Sequence, residues 1–237
     1  LRQGVDAAVF THVSNVFGYI LPVETMAELC REAGVPFILD AAQSAGCLPV
    51  DFGALGAEFI AMPGHKGLLG PQGTGLLLCA QPGKPLIFGG TGSRSRAKTM
   101  PEELPERLEA GTLNVPGAAG LAAGMELVER LGTENIFRRG HSQVGVCARG
   151  LEELGYRVYS GPHQAMTLSF RGKGDCEELA AYLGSKGIAL RAGLHCAPLA
   201  HESAGTLETG TLRVSFGHDA SPLQTRALLR ALGDGRG

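Results

Sequence analysis

The sequence of 237 residues predicts an α/β protein that is built from two domains. The first reason is a series of short apolar runs separated by a helical pattern, which is typical of a parallel or mixed sheet buried on both faces. The second reason is a change near residue 130, after which half-buried strands alternate with helices as in a small α+β unit. We therefore predict a large-domain segment at 1–130 and a small domain at 131–237.

Four short apolar runs predict the strands of the large-domain segment, at 7–13, 36–40, 58–62 and 74–79. Between the first two strands, Pro22 opens a predicted helix and Gly34 closes it, since proline is favoured in the first turn and glycine just after the last. Residues 81–116 are rich in Pro, Gly, Arg, Ser and Glu and show no periodicity, so we expect a long loop region there. Long ordered loops in compact domains are usually functional.

Periodicity also predicts the elements of the second half of the chain. Helices are expected from residue 117 onward and at 134–154, 175–186 and 221–232. Strands are expected at 157–159, 166–170, 188–191 and 212–216. In the last of these strands, Arg213 and Ser215 face one side of the sheet, and their apolar neighbours face the other. Arg213 is therefore expected to reach a site instead of the core.

Composition and charge exclude several functional classes. A hydrophobic content of 44% provides a core, so the chain is not wholly disordered, and 36 glycines indicate many tight turns. The net charge of −2 gives no support for binding nucleic acid or a membrane surface. No apolar run reaches the roughly 18 residues of a membrane helix. Because the first residues do not form a secretory signal, we expect a cytoplasmic protein.

The six cysteines are widely spaced, and none lies in a Cys-x-x-Cys pair. Such spacing argues against a disulfide framework or a zinc site, and it favours reduced thiols without a bound metal. The sequence also lacks an initiator Met and starts just before an apolar run, so we expect it to come from the middle of a longer protein.

Two clusters of chemically active residues follow consecutive predicted strands. Asp40, in Asp-Ala-Ala-Gln, stands at the carboxyl end of a strand, where open α/β sheets place their ligands; alternatively, it caps the next turn. Lys66 is enclosed by Gly64 and Gly67, which let a planar ligand approach the backbone, and such a lysine can be desolvated into a nucleophilic amine. Alternatively, Lys66 is a solvated loop lysine or part of a weak Gly-rich phosphate loop, although the P-loop spacing is absent.

A carboxylate and a lysine at successive strand ends are what pyridoxal phosphate needs. The lysine forms the covalent link to the cofactor, and the aspartate pairs with the protonated pyridine nitrogen. That pair keeps the ring cationic, so that the ring can accept electrons from the substrate Cα. Asp40 and Lys66 together therefore predict a pyridoxal phosphate site.

Five segments of the sequence carry a family resemblance. They follow one another along the chain at 11–18, 40–43, 64–66, 109–114 and 191–197. Together they closely resemble the cysteine desulfurases, which belong to the class V aminotransferase group of fold-type I pyridoxal-phosphate enzymes. The resemblance runs from about residue 7 to the end of the chain. It implies the C-terminal part of the large mixed-sheet domain followed by a small α+β domain.

The resemblance implies roles for the residues around the cofactor. Lys66 would bind pyridoxal 5'-phosphate covalently, and Asp40 would pair with the pyridine nitrogen. Gln43 would bind the ring oxygen, and His65 would bind the phosphate. Asn15 would contact the ring oxygen or the substrate carboxylate.

The resemblance also implies roles in catalysis and assembly. Thr112 would reach the cofactor phosphate of a second subunit in a homodimer. Arg213 would bind the α-carboxylate of the substrate, for which its planar fork is suited. Cys196, in the loop that carries the nucleophilic cysteine of the type II desulfurases, would accept sulfur. We expect His195 and Arg191 nearby to favour its thiolate, whereas composition alone would make Cys196 a buried structural thiol.

The sequence departs from the family pattern at two positions and in its length. Leu194 stands where type II desulfurases usually have a second His. Pro63 stands where many relatives have a phosphate-binding Ser, so a hydroxyl is lost and the resemblance is to a less-characterised desulfurase-like branch. Relatives also have a longer N-terminal part, which supplies a phosphate-binding turn and a ring stacked on the cofactor. We therefore expect this chain to be a fragment of the enzyme.

The resemblance implies that L-cysteine, or a similar amino acid, is converted to alanine while a persulfide forms on Cys196. The persulfide would pass to a sulfur-acceptor protein, often for iron–sulfur assembly. Two enzymatic alternatives are a selenocysteine lyase and a class V aminotransferase that does not use Cys196. A third alternative is an inactive truncated fragment.

Overall fold

The fold is described from a computed structural model, for residues 1, 4–92, 94 and 96–234. The chain forms two compact units. Unit 1 consists of Leu1–Phe10, Val23–Gly46 and Val50–Arg130. Unit 2 consists of Thr11–Pro22, Cys47–Pro49 and the chain from Leu131 onward, so two short segments of the first half join the second unit.

The first part of the chain forms a four-stranded sheet and three helices. Its strands are β1 Ala8–Thr11, β2 Phe37–Asp40, β3 Phe59–Pro63 and β4 Gly75–Cys79. The helices are α1 Val23–Glu32, α2 Phe52–Leu55 and α3 Val115–Leu131. The strand order is β1-β2-β3-β4, with β2 and β3 parallel and β3 and β4 antiparallel. The sheet is therefore mixed, which confirms the predicted fold class.

The register between β2 and β3 brings the two predicted active segments to one edge of the sheet. Leu39 lies opposite Ile60, and both side chains are fully buried. Asp40 lies opposite Ala61, and the ladder continues for one more bond, from the Ala41 N–H to the Ala61 carbonyl at 2.9 Å. The carboxyl ends of the two strands therefore lie side by side.

Unit 2 packs its helices on an antiparallel sheet. Its strands are β5 Arg157–Tyr159, β6 Thr167–Arg171, β7 Arg191–Gly193 and β8 Thr211–Ser215, in the order β5-β6-β8-β7. Its helices are α4 Thr133–Glu153, α5 Cys176–Ser185, α6 Pro198–Ser203 and α7 Pro222–Asp234. Fully buried side chains from the sheet and the helices form the core, among them Leu151, Leu168, Phe170, Leu183 and Leu212.

Several elements differ from the sequence prediction. The first strand, predicted at 7–13, spans only Ala8–Thr11, and the four-residue helix α2 was not predicted. The strand predicted at 188–191 is wrong by three residues, because Arg191 pairs with Arg213 and the ladder runs from there to Gly193. The residues before it instead line a cavity of about 320 Å³. Helix α3 starts at Val115, two residues before its predicted start, and the short helix α6 was not predicted. None of the helices described is long and apolar enough to cross a membrane.

Candidate active site

Asp40 is the last residue of β2, and its carboxylate is exposed. One carboxylate oxygen, Oδ1, accepts a hydrogen bond of 2.8 Å from the Ala42 N–H. This bond is the turn cap that the sequence offered as an alternative, and it holds the carboxylate in one orientation. The side chain is therefore held at the strand end while it remains open to a ligand.

A cavity of about 390 Å³, shallow and wide open to solvent, lies beside Asp40. It lies between the ends of β3 and β4, and Glu109 from the loop region also reaches it. Its walls are mostly apolar and come from Ala61, Met62, Pro63, Leu76 and Leu77. Small-molecule sites commonly combine apolar walls with a few placed polar groups, and this cavity has that composition.

Lys66 stands in a tight loop that follows β3. The loop is closed by hydrogen bonds from the Leu69 N–H to the Lys66 carbonyl, 3.0 Å, and from the Gly70 N–H to the Gly64 carbonyl, 2.8 Å. Lys66 is exposed, so the burial that the sequence suggested for it is not observed. Within the described part of the chain, its ammonium group has no hydrogen bond or ion pair, which leaves the amine free to react.

The other residues predicted for the cofactor in unit 1 differ in their surroundings. His65, next to Lys66, is exposed, and Gln43 is half-buried in the turn after Asp40. Thr112 lies exposed near the end of the long loop region. Unit 1 therefore brings Asp40 and the loop of Lys66 together at the neighbouring ends of β2 and β3, and the hydroxyl of Thr112 is open to a further group.

Cys196 lies in unit 2, in the turn that joins β7 to α6. Unlike a structural core thiol, it is exposed. The guanidinium of Arg191 donates from Nη2 to the Cys196 Sγ over 3.2 Å. His195 and Cys196 both adopt left-handed backbone conformations, with φ of 52° and 61°. Such conformations cost about 1–3 kcal/mol per residue and cluster at functional sites.

His195 does not support the thiolate as a cation, so that part of the prediction is wrong. Its ring is only 2% exposed, and its Nε2 lies 3.1 Å from both the carbonyl and the hydroxyl oxygen of Thr211. Burial, with a smaller contribution from the positive charge of Arg213, lowers the pKa of His195 to about 4. The ring is therefore neutral near pH 7, and Arg191 is the cation that contacts the sulfur.

Arg213 and Asn15 are linked to the cysteine loop by two hydrogen bonds. Arg213 donates from Nη1 to the Asn15 carbonyl over 2.8 Å, and the Asn15 amide donates to the His195 carbonyl over 2.6 Å. The amide of Asn15 is thus engaged with the loop of Cys196. The pKa of Arg213 is lowered by burial and by the charge of Arg191, while Cys196 opposes this effect.

The predicted alternation along β8 is confirmed. Leu212 and Val214 are buried, whereas Arg213 is half-buried and Ser215 is exposed. The Nε atom of Arg213 is buried without a hydrogen-bond partner in the described structure. An unpartnered buried donor on a cation favours an anionic ligand such as a carboxylate.

Two residues of this arrangement were missed by sequence reasoning. Thr211 holds the His195 ring, and His201 of α6 contacts the same ring with a centroid distance of 5.6 Å. His201 is fully buried and bonds to the Thr206 hydroxyl at 2.8 Å. The only sequence signal for Thr211 was its position two residues before Arg213. The sequence contained no signal for His201, since helix α6, which carries it, was not predicted.

Comparison with known proteins gives a family match and many relatives. The family model described as aminotransferase class-V matches residues 1–227. A probable cysteine desulfurase from Methanothermobacter thermautotrophicus is 36% identical over 217 residues, which cover 87% of this chain and 54% of the relative. The chain thus spans about half the length of the curated relatives that it matches.

Solved structures agree with the sequence match. The apo structure of a cysteine desulfurase from Thermococcus onnurineus is 34% identical, with a TM-score of 0.89 over 98% of this chain and 60% of that one. An Escherichia coli cysteine desulfurase in its S-sulfonic acid form is 28% identical, with a TM-score of 0.88 over 95% of this chain and 58% of that one. On the family match, the sequence relatives and the shared fold together, the chain belongs to the class-V aminotransferase family.

Proposed function

We propose that this chain is part of a pyridoxal-phosphate-dependent cysteine desulfurase, the part that carries both the cofactor-binding lysine and the sulfur-accepting cysteine. The observation that carries the proposal is Cys196, because it is exposed, lies in a strained turn and has the Arg191 guanidinium 3.2 Å from its sulfur. An aminotransferase reaction has no need of such a thiol. The similarity to proteins named cysteine desulfurases supports the same reaction.

Members of the family use pyridoxal phosphate, and the residues of unit 1 fit this cofactor. The fit rests on the exposed Asp40 carboxylate at a strand end, on a lysine amine without a partner in the described structure, and on the glycines around it. When bound, the cofactor withdraws electrons from the Cα of an attached amino acid. Asp40 has the charge that keeps a pyridine nitrogen protonated, and Lys66 has the amine that binds the aldehyde group.

Further residues of unit 1 would hold the cofactor in place. In this proposal, Gln43 binds the ring oxygen, and His65 binds the phosphate on its exposed side. Thr112 binds the phosphate of the cofactor in a second subunit, so the protein acts as a homodimer. The Lys66 amine would also act as the base that removes the proton from the Cα of the amino acid, and it would return a proton later in the reaction.

Arg213 and Asn15 would bind the amino acid. The Arg213 guanidinium contributes two parallel donors to the α-carboxylate, which an ammonium group cannot imitate. Its bond to the Asn15 carbonyl sets the direction of the fork. The substrate is therefore an α-amino acid with a free carboxylate, and the thiol of Cys196 fits one that carries a sulfur on Cβ, such as L-cysteine.

Cys196 would take the sulfur from the substrate. Its thiolate attacks the sulfur of L-cysteine, so that a sulfur–sulfur bond forms while the bond between Cβ and sulfur breaks. The electron pair of the broken bond stays with the carbon skeleton, which takes up one proton and leaves as alanine. A thiolate of a sulfur-acceptor protein in the cytoplasm, such as one that serves iron–sulfur assembly, would then attack the outer sulfur of the persulfide. A new sulfur–sulfur bond would form on the acceptor while the bond to Cys196 breaks, which returns Cys196 to its thiolate.

The test of the cofactor assignment is chemical trapping on Lys66. The full-length protein is incubated with pyridoxal phosphate, reduced with borohydride and digested, and the labelled peptide is identified by mass spectrometry. We expect the label on Lys66, and its loss in Lys66→Ala. Lys84→Ala, which removes another exposed lysine of unit 1, is the matched control and keeps the label. Equal labelling of Lys66→Ala and the control would refute the assignment.

A further inference from the structure

The turn that follows β2 and the loop of Lys66 touch each other at two glycines. We infer that Gly46 and Gly67 are positioning residues, whose backbone contact sets the spacing between the Asp40 carboxylate and the Lys66 amine. The inference rests on the proposed function, because this spacing matters only if both groups hold one cofactor. Neither glycine has a side chain that could take part in the reaction itself.

The contact between the two glycines leaves no room for a side chain on either of them. A Cβ on Gly46 would lie well inside 3.0 Å of the Gly67 carbonyl oxygen, a separation that real Cβ atoms do not adopt. A Cβ on Gly67 would come equally close to the Ala45 carbonyl oxygen. Gly46 also has a φ of +84°, which favours glycine, whereas Gly67 has no such requirement. At Gly67, the close approach alone therefore excludes larger residues.

Hydrogen bonds tie the turn to Asp40. The N–H groups of Ser44 and Ala45 both donate to the Ala41 carbonyl, at 3.1 and 2.9 Å. The N–H group of Ala42, the residue after Ala41, donates to the Asp40 carboxylate. A push on Ala45 or Gly46 is therefore transmitted through these bonds to Asp40.

The Lys66 loop has little room to retreat from such a push. Helix α3 lies behind it, and a Cβ on Gly124 of this helix would already collide with the carbonyl oxygens of Leu68 and Leu69. The loop is also tied to itself by the bond from the Leu69 N–H to the Lys66 carbonyl. A side chain at position 46 or 67 therefore separates the turn from the loop, and with them Asp40 from Lys66.

The experiment compares four single variants of the full-length protein. Gly46→Ala and Gly67→Ala add a methyl group at the contact. Gly73→Ala is the control for Gly46, since its φ is +75° but nothing lies within 4 Å of its Cβ position. Gly53→Ala is the control for Gly67, since its nearest neighbour is the Asp51 carboxylate at 3.5 Å. Each variant is measured for thermal unfolding, for the dissociation constant of pyridoxal phosphate, for the pH dependence of the absorption of the lysine-bound cofactor, and for kcat and KM with L-cysteine.

We expect both contact variants to fold and to bind the cofactor through Lys66 with an altered pH dependence of its absorption. Because a misplacement of about 1 Å can cost about a hundredfold in rate, kcat should fall by about that factor, while KM changes little. The dissociation constant of the cofactor should rise about tenfold, equivalent to one lost interaction of ordinary strength. The two controls should keep the wild-type absorption and kcat.

Three results would overturn the inference. Wild-type absorption and kcat in the folded contact variants would show that the spacing does not depend on the contact. Equal losses in the contact variants and their controls would show a general effect of replacing glycine. Failure of both contact variants to fold would show that the contact serves the folding of unit 1. If the wild-type protein does not bind pyridoxal phosphate at all, the proposed function itself fails.

Discussion

Cys196 differs from the other cysteines in its exposure and in its neighbour. Four of the others are buried and one is partly buried, whereas Cys196 is exposed beside Arg191. Burial raises the pKa of Cys47 to about 11 and that of Cys147 to about 12, so these thiols stay protonated at neutral pH. Cys196, in contrast, is an exposed thiol whose sulfur is contacted by a guanidinium group.

We therefore predict that Cys196 is alkylated first when the native protein is treated with iodoacetamide. The modification of each cysteine is followed over time by peptide mass spectrometry. Arg191→Ala should slow the modification of Cys196, because the cation beside the sulfur is lost, and Arg157→Ala should leave it unchanged. Equal rates for Cys196 and the partly buried Cys79 would contradict the prediction.

Arg213 is predicted to bind the carboxylate of the substrate. A bidentate contact with a carboxylate in a partly dry site contributes about 1.5–3 kcal/mol. Arg213→Ala should therefore weaken the apparent affinity for L-cysteine by about tenfold or more. Arg213→Lys should recover only part of this loss, because an ammonium group lacks the planar fork.

The measurement for Arg213 is a titration of the cofactor spectrum with L-cysteine. Arg157→Ala is the matched control, since Arg157 is an exposed arginine in the same sheet. An unchanged apparent affinity in Arg213→Ala, with the control behaving like the wild type, would show that another residue binds the carboxylate.

For single residues, the sequence predicted the placement of a side chain where that placement depends on the residue's position next to a strand. Asp40 and Lys66 were predicted because each follows a buried strand, and the register of β2 and β3 puts both strand ends at one edge. The neutrality of His195 could not be predicted, because its cause is burial against Thr211, a residue of another strand. Such a tertiary contact leaves no pattern in the neighbouring sequence.

Unit 2 buries two histidines, His195 in the turn between β7 and α6 and His201 in α6 itself. The pKa of buried His195 is lowered to about 4 from its ordinary value of 6.5, and burial also lowers the pKa of His201. Between pH 4 and pH 6.5, His195 is largely protonated in the unfolded chain but largely neutral in the folded one, so the unfolded chain binds more protons. Stability is therefore full above about pH 6.5 and decreases as the pH falls toward 4, by up to about 1.4 kcal/mol per pH unit for one such group.

Urea unfolding between pH 7.5 and pH 4.5 tests this dependence. His195→Gln should be less stable than the wild type at pH 7.5, because the bonds to Thr211 are altered, but its stability should depend less on pH. His141→Gln, which changes an exposed histidine of α4, should keep the wild-type dependence. The assignment is wrong if His195→Gln keeps the full wild-type slope.

At the scale of elements, the central strands and the edge strand β5 were predicted well, whereas the edge strand β7 was not. Strands β2, β3, β6 and β8 have buried apolar residues that mark them in the sequence. Strand β7 consists of Arg191, Ala192 and Gly193 and has no apolar run of its own, so its position depends on its pairing with β8. Helix α6 was missed because six residues are too few to show a helical period.

The long loop region of unit 1 exposes a short apolar segment. Leu86, Ile87 and Phe88 are 92%, 69% and 71% exposed. Contiguous exposed apolar residues often mark surfaces that are covered by another protein. Thr112, which is predicted to bind the cofactor of a second subunit, belongs to the same loop region.

We therefore predict that the full-length protein is a homodimer and that Phe88→Asp weakens it. Light scattering coupled to size-exclusion chromatography measures the mass over a range of concentrations. Leu223→Asp is the control, since Leu223 is an equally exposed leucine of unit 2, at 74%. A fully active monomer, or equal dissociation by both variants, would contradict the prediction.

At the scale of the whole molecule, the family and the mixed α/β fold were evident from five short segments. The two-unit organisation could be predicted only in part, because Thr11–Pro22 and Cys47–Pro49 join unit 2 although they lie among elements of unit 1 in the sequence. Their placement depends on long-range contacts such as the pairing of Tyr19 with Gln164. No local periodicity reports such contacts.

The most direct test of the account is to measure alanine and persulfide together after L-cysteine is added to the full-length protein loaded with pyridoxal phosphate. We predict equal amounts of alanine and of persulfide in the first turnover, with the persulfide located on Cys196 by mass spectrometry. Cys196→Ala should still bind L-cysteine, as seen in the cofactor spectrum, but should form no protein persulfide. Normal alanine release and sulfur transfer in Cys196→Ala would contradict the account, and they would leave an enzyme of the class-V family that does not use this thiol.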